Sequence, residues 1–381
     1  MRARWGAGGR SFKYAEYMHI SEVETPAILV DLDIMERNLG RVADYAREHG
    51  LRLRPHTKTH KSIRLARRQL ELGAAGLTVA KTGEAETMLR AEPEEMLVAF
   101  PIVGRAKLER LMAVARRTRV TVALDSVAAA GELAEAAAAA KVKIGVLAET
   151  DVGLGRVGVP PGKPLVDLAE CIQMFHSLVF EGIAFYPGHI RNLDEAGRRA
   201  LEQLSELVGS IVDTFRRAGI QVKIVSGGST PTLFHSHEIA GLNEIRPGTY
   251  VFNDFNTVRV GACRLEDCAA AILATVISTA VAGQIVIDGG SKTFSSDRQA
   301  NSSEESFGHV VEAPAARFHK MNEEHGFIDV THADRKFQVG DRVRVIPNHV
   351  CTAMNLHERV YGLCGEQVEE VWNVDARGRV Q

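Results

Sequence analysis

The stretch LRLRPHTKTHKSIRLARRQLELGAAGLTVAKTGEAETMLRAEPEEMLVAF, residues 51–100, sets the rhythm on which the fold depends. Three β-prone runs, LRLRPH (51–56), AGLTVA (75–80) and EMLVAF (95–100), are separated by stretches such as KSIRLARRQLELG (61–73), which has helical composition and length. Alternation of this kind means parallel strands joined by crossover helices. The rhythm continues through VTVALD (120–125), KIGVLAE (143–149), VFEGIAFY (179–186), QVKIVSGG (221–228) and NEIRPGTYVF (243–252), with AAAGELAEAAAAA (128–140) as a strong helix former between two of them. Eight such strands over about 200 residues fit a TIM-like (β/α)8 barrel, closed on itself, better than an open sheet. An open doubly wound sheet is the alternative, because spacing alone does not show closure.

Outside this block the pattern changes. TPAILVDLD (25–33) is a further strand candidate, followed by the amphipathic stretch IMERNLGRVADYAREHG (34–50). After residue 260, AAAILATVISTAV, GQIVIDGG, GHVVE, GFIDV, DRVRVIPN and QVEEVWNV are strands separated by Gly and Asp turns. The expected organisation is a lead-in over residues 1–24, a barrel domain over 25–260 and a C-terminal β-rich domain over 261–381.

The chain has 381 residues, a hydrophobic fraction of 45% and a charged fraction of 25%, which are those of an ordinary globular protein. Its net charge of −2, with acids and bases intermixed, gives no footprint for nucleic acid and no attraction to an anionic membrane. No run approaches the ~20 apolar residues of a membrane helix, and the N-terminus has no apolar segment behind its basic residues. Five scattered cysteines speak against a disulfide framework and for a reducing compartment, so the cytoplasm is the expected location.

In a parallel barrel, functional groups collect just past the C-terminal ends of the strands. There stand Lys58 within Thr57-Lys58-Thr59-His60-Lys61, Arg156 in a glycine-rich loop, Tyr186 and His189 in YPGH, and Gly227-Gly228-Ser229-Thr230. The last loop suits a phosphate, since glycines allow close backbone approach and the amides and hydroxyls are donors. It lacks any established phosphate-loop spacing, and a tight strand-to-helix turn is its plainer reading. Lys58 suits a Schiff-base nucleophile. Lys61 is the alternative, although a helix-start lysine facing water is the plainer reading for it. His56 and His60 read as structural hydrogen bonders. In the C-terminal domain, His349 and Cys351 end a strand candidate; residues two apart on an extended chain share a face, and imidazole with thiolate favours zinc. Glu323, Glu324 and His325 are candidates to complete that shell, against the plainer reading of a solvated turn.

These motifs, in the order TPAILVDLD, RPHTKTHK, ETDVGLGRVGV, YPGH, GGSTPT, EIRPGTYVFND, EEHG and PNHVCTAMNLHE, resemble the D-threonine aldolase and D-serine dehydratase family. These are pyridoxal-phosphate (PLP) enzymes with the alanine-racemase type of barrel, fold type III, and the resemblance runs from Glu24 to about Val374. It implies that Lys58 links to pyridoxal 5'-phosphate, that Arg156 and Tyr186 flank its ring, and that Gly228, Ser229 and Thr230 hold its phosphate, with Tyr250 a lesser candidate. It places a divalent metal, zinc before manganese, cobalt or magnesium, on His349 and Cys351 near the substrate hydroxyl. It also implies a homodimer and puts the TPAILVDLD strand with the β domain. The sequence departs from the family in two places: aldolase-type members usually carry His-x-Asp at the metal, whereas His349-x-Cys351 matches the dehydratase type, and Ala80 stands where many relatives are polar.

The activity so implied is that of a lyase on a small β-hydroxy D-amino acid. Elimination to a 2-oxo acid and ammonia, as by a D-serine dehydratase, is the leading expectation. Retro-aldol cleavage to glycine and an aldehyde is next, then racemisation, then a non-catalytic cofactor carrier.

Overall fold

The computed structural model describes residues 18–300 and 306–381; most of the expected lead-in therefore lies outside the described residues. The chain divides into two compact units. An α/β unit comprises Leu39–Tyr250, Val260–Ala262 and Gly378–Gln381, and a β unit comprises the chain up to Asn38, Val251–Arg259 and Cys263–Arg377. Strand β1 (Ala27–Asp31) belongs to the β unit.

The α/β unit is built on eight parallel strands: β2 (Arg52–Leu53), β3 (Leu77–Val79), β4 (Glu95–Val98), β5 (Arg119–Leu124), β6 (Ile144–Glu149), β7 (Leu178–Ala184), β8 (Ile224–Gly227) and β9 (Glu244–Ile245). Their order in the sheet is β2-β9-β8-β7-β6-β5-β4-β3. Crossover helices follow β2 to β7, among them Ile63–Glu71, Val127–Ala140 and Glu195–Arg217; after β8 the chain makes only a 3-10 turn, Leu233–Glu238. Leu97, Ala123, Leu147, Ala184 and Ile224 form an apolar cluster across five neighbouring strands.

The closed barrel expected from the sequence is corrected here, because the strand ladder is open between β2 and β3. The two end strands meet through an isolated bridge, His56 to Thr78, and through hydrogen bonds from Ala75 N to Leu53 O and from Thr78 N to Pro55 O. Pro55, the second residue after β2, has no N–H to extend a ladder, so the strand stops after two residues.

Buried charges span that seam. Arg54, fully buried at the end of β2, donates to Glu95 of β4 (2.8 Å) and lies 3.0 Å from Glu244 of β9. Arg119 of β5 joins Glu95 (3.2 Å) to Glu181 of β7 (3.1 Å), and Ser226 of β8 donates to Glu244 (2.6 Å). Gly145 makes room for this network, since a Cβ there would lie 2.6 Å from the Glu181 carboxylate.

The β unit holds a nine-stranded sheet. Its strands are β1 with β10 (Ala270–Ser278), β11 (Gln284–Ile287), β12 (Gly308–Val310), β13 (Arg317–Met321), β14 (Gly326–Asp329), β15 (Arg342–Pro347), β16 (Arg359–Cys364) and β17 (Gln367–Asn373). The main path is β13-β14-β11-β10-β1-β16-β17, with β15 pairing β10 and β12. β1 runs antiparallel to β10 and parallel to β16. Val23, Ala27, Leu29, Leu273, Leu363 and Val368 form the core on it. Among the described residues, no helix is long and apolar enough to cross a membrane.

Removing Glu244 takes one of two carboxylates from the buried Arg54 and leaves Glu95 shared among Arg52, Arg54 and Arg119, and removing one partner of a buried pair typically costs about 3–5 kcal/mol. Glu244→Ala should therefore lower the urea unfolding midpoint sharply. Breaking the exposed pair Arg105–Glu109 should leave it unchanged. Equal midpoints for wild type and Glu244→Ala would show that the network carries no stability.

Candidate functional site

From Leu53 to Ile63 every residue is buried except Lys58. The local backbone explains this. Thr57 anchors to Thr78 O through both its amide (2.8 Å) and its hydroxyl (3.1 Å), and its own carbonyl accepts from Lys61 N and His60 N. The resulting turn leaves Lys58 at its crest. The loop after β9 packs beneath it: His56 N donates to Pro247 O, and a Cβ on Gly248 would lie 2.7 Å from the Thr59 hydroxyl.

Lys61 differs from its expected place facing water. It is buried, adopts a left-handed conformation (φ 49°), and its amine pairs with the buried Glu84 at 3.2 Å. A lysine neutralised in that way is a poor nucleophile beside the exposed Lys58. Both histidines of the motif are interior. His56 is held well below its ordinary pKa by burial, then by the charges of Lys58 and Arg246. Burial takes His60 down to about 4. Its Nδ1 accepts from Ser62 N (3.0 Å), so its Nε2 carries the proton and donates to Gln69 (3.2 Å), whose amide in turn donates to the Tyr250 hydroxyl (3.0 Å). Tyr250 is buried, with its pKa raised by burial, and its own O–H remains available to donate.

Elsewhere on the same rim, Arg156 lies over the Tyr186 ring, 4.8 Å from its centroid, and both residues are exposed. Asp151 shapes the loop that carries Arg156 by accepting from the amides of Gly155, Leu154 and Gly153, which also hold its carboxyl below the usual range. Gly188 is required by Tyr186, whose ring would lie 2.4 Å from a Cβ there. At the end of β8, Gly228 takes φ +95°, the left-handed region that glycine adopts without strain. The hydroxyl of Ser229 contacts that of Thr232 at 3.0 Å, and Thr230 follows Ser229 in the same turn.

Two rim residues went unread in the sequence. Glu149 is buried at the end of β6; burial raises its pKa, and the charges of Arg246 and Arg156 oppose that. Arg246 donates to Ser226 Oγ (2.5 Å) and Phe185 O (3.0 Å). Their position at strand ends was the available signal.

In the β unit, His349 follows β15 and precedes the helix Val350–Leu356, whose first turn contains Cys351. The pair therefore meets through a strand-to-helix turn, and the shared face of an extended chain does not apply. Asp254, fully buried, accepts from His349 Nδ1 (3.0 Å), Val350 N (3.1 Å) and Thr257 N (2.8 Å). Burial alone would lower the His349 pKa, but the hydrogen-bonded Cys351 thiolate and Asp254 outweigh it and hold it up at about 11. Among the described residues, no group of three or more His, Cys, Asp or Glu side chains stands ready for a metal. The acids of the 322–325 turn stay apart from the pair, and Glu324 binds Lys292 (2.7 Å).

The interior histidines give the protein an acid limit. An unfolded chain protonates His60 near 6.5, the folded one only near 4, so the unfolded state binds the proton first as pH falls. This contribution to stability is complete above about 6.5 and lost towards pH 4, by up to about 3 kcal/mol. His56 acts in the same direction. Urea midpoints should fall between pH 7 and 5, and His60→Gln should flatten that fall; an unchanged slope would refute the assignment.

Comparison with known proteins agrees with this layout. The family model described as "Alanine racemase, N-terminal domain" matches residues 30–255, and "Putative serine dehydratase domain" matches residues 269–363. The chain is 31% identical over 373 residues to 3-hydroxy-D-aspartate aldolase of Paracoccus denitrificans, covering 95% of this chain and 94% of that one. The crystal structure of D-threonine aldolase from Filomicrobium marinum superposes with a TM-score of 0.89 at 30% identity, covering 98% of this chain and all of that one (100%). D-threo-3-hydroxyaspartate dehydratase from Delftia sp. HT23 superposes at 0.86 and 30% identity, covering 93% and 98%. A cysteine-to-alanine variant of a D-threo-3-hydroxyaspartate dehydratase is described as a metal-free form. The chain belongs to the alanine-racemase-fold family of pyridoxal-phosphate enzymes that includes the D-threonine aldolases and the hydroxyaspartate dehydratases.

Proposed function

We propose that this protein is a PLP-dependent lyase that cleaves the Cα–Cβ bond of a β-hydroxy D-amino acid to glycine and an aldehyde. The observation that carries the reading is Lys58, the single exposed side chain in an otherwise buried rim segment. The sequence put elimination to a 2-oxo acid and ammonia first. The aldolase relatives, similar along nearly the whole chain, favour cleavage instead. Elimination remains the second reading, favoured by Cys351, which stands where aldolase-type members usually carry Asp.

The residues fit both groups. Lys58 would link to the cofactor, Arg156 and Tyr186 flank its ring, and Gly228, Ser229 and Thr230, with the O–H of Tyr250, hold its phosphate. His349 and Cys351 would hold one divalent ion, zinc by the softness of the thiolate, with manganese, cobalt and magnesium as the alternatives. His349 already has the carboxylate partner that orients a ligating imidazole. When bound, the cofactor supplies a sink for the electron pair released at Cα, and the metal supplies Lewis acidity toward the β-oxygen.

The chain's own groups handle the protons. With the cofactor bound, the Lys58 amine would be the group placed to exchange a proton at Cα, and its approach from a single side of the substrate would make the reaction specific for the D configuration. His189, the exposed imidazole of the rim, takes the β-hydroxyl proton as the Cα–Cβ bond breaks. Cα then receives a proton and leaves as glycine. In elimination the same amine removes the Cα proton and hydroxide departs.

Product analysis separates the readings: incubation with D-threonine, D-serine and D-3-hydroxyaspartate should yield glycine, and ammonia without glycine would establish elimination. Lys58→Ala should lose the borohydride-reducible link to the cofactor and all turnover; if the link survives, Lys58 does not carry the cofactor. Chelation, or Cys351→Ala, should cost roughly a thousandfold in rate while cofactor absorbance persists. Full activity after exhaustive chelation would remove the metal from the proposal.

A further inference from the structure

We propose that Lys81 binds the distal carboxylate of the substrate, making a β-hydroxy D-aspartate rather than D-threonine or D-serine the preferred substrate. This rests on the lyase reading above. Lys81 stands just past the end of β3, beside the segment that carries Lys58: Thr57 donates to Thr78 O, and Lys58 and Lys81 follow within three residues of those atoms. Its amine sits 3.7 Å from the centroid of the Phe100 ring, which fixes the position of the charge without neutralising it.

Gln381 O, beside Lys81, accepts from Gly83 N (2.9 Å) and Thr82 Oγ1 (3.3 Å), and the carboxylates of the rim are engaged as well. Glu84 accepts from Ala80 N and pairs with Lys61. Asp125 accepts from Gly158 N, and Asp151 takes the amides of its own loop. Glu149 lies buried between the charges of Arg246 and Arg156. Of the rim cations, Lys58 is used by the cofactor link, Arg156 by the ring and Arg246 by Ser226 and the Phe185 carbonyl, while the phosphate has its own donors after β8. Lys81 remains, half-exposed and held in place, and among the described residues no carboxylate pairs with it. The complementary ligand is a second carboxylate on the substrate's β-carbon, where threonine carries a methyl group and serine a hydrogen.

The test compares the holoenzyme with Lys81→Met, which keeps the length of the side chain, and Lys81→Arg, which keeps the charge. With D-3-hydroxyaspartate, kcat/KM should fall about 30-fold or more in Lys81→Met and recover largely in Lys81→Arg, while the value for D-threonine stays within about threefold. Calorimetry with D-aspartate and D-alanine, which lack the hydroxyl and are not cleaved, should show weaker binding of D-aspartate alone. Equal losses for both substrates, no loss for either, or a wild-type enzyme that prefers D-threonine would overturn the role of Lys81 and leave the lyase reading standing. A wild-type holoenzyme inert towards every β-hydroxy D-amino acid would overturn both.

Discussion

The buried charge of Arg54 is the constraint around which the α/β unit is arranged. An arginine at zero exposure is tolerated only if carboxylates meet it. Those carboxylates come from β4 and β9, on opposite sides of β2. The ladder between β2 and β3 is no more than an isolated bridge, so side chains carry much of the connection that backbone pairing leaves out. Arg119 and Glu181 extend the network to β5 and β7, and Ser226 to β8. A network drawn from several strands at once, centred on Arg54 Nη2, fixes their relative heights, because each member loses its partner if one strand slips.

That fixed base sets the rim above it. The chain passes from Arg54 through Pro55 to the His56 bridge and into the turn of Lys58 within four residues. Little backbone freedom remains between the network and Lys58. Ser226 and Arg246 connect the two levels on the other side: Ser226 donates to Glu244, Arg246 donates to Ser226, and Arg246 shares its surroundings with Glu149. Positioning of this kind supports catalysis by keeping reacting groups in place before substrate arrives.

Much of this was legible in the sequence, and the exceptions have physical reasons. The eight strands of the parallel sheet showed themselves because crossover helices separate them with a regular rhythm, and chemistry at strand ends pointed to Lys58, Arg156 and Tyr186. Closure was not legible, since it depends on whether Pro55 leaves a ladder, which spacing does not encode. β13 and β16 were passed over: RFHKM is polar for a strand, and RVYGLC is interrupted by Gly362, where a Cβ would lie 2.6 Å from the Trp372 ring. Lys61 read as a surface helix start because its partner Glu84 is far along the chain. Asp254 was quoted within a motif but given no role, since its value arises only when His349 is folded beside it.

The arrangement of His349, Cys351 and Asp254 has a consequence in charge. If the proposed divalent ion binds there, one thiolate would leave it with a net charge of about +1, and Asp254, one hydrogen bond beyond His349, would offset most of the remainder. Two protein ligands would also leave positions for water and substrate, as a catalytic site needs and a structural one does not. The tight turn between β15 and its helix therefore does more than join two elements. It brings His349 and Cys351 onto adjacent backbone, and the carboxylate that accepts from Val350 N is the one that orients the imidazole.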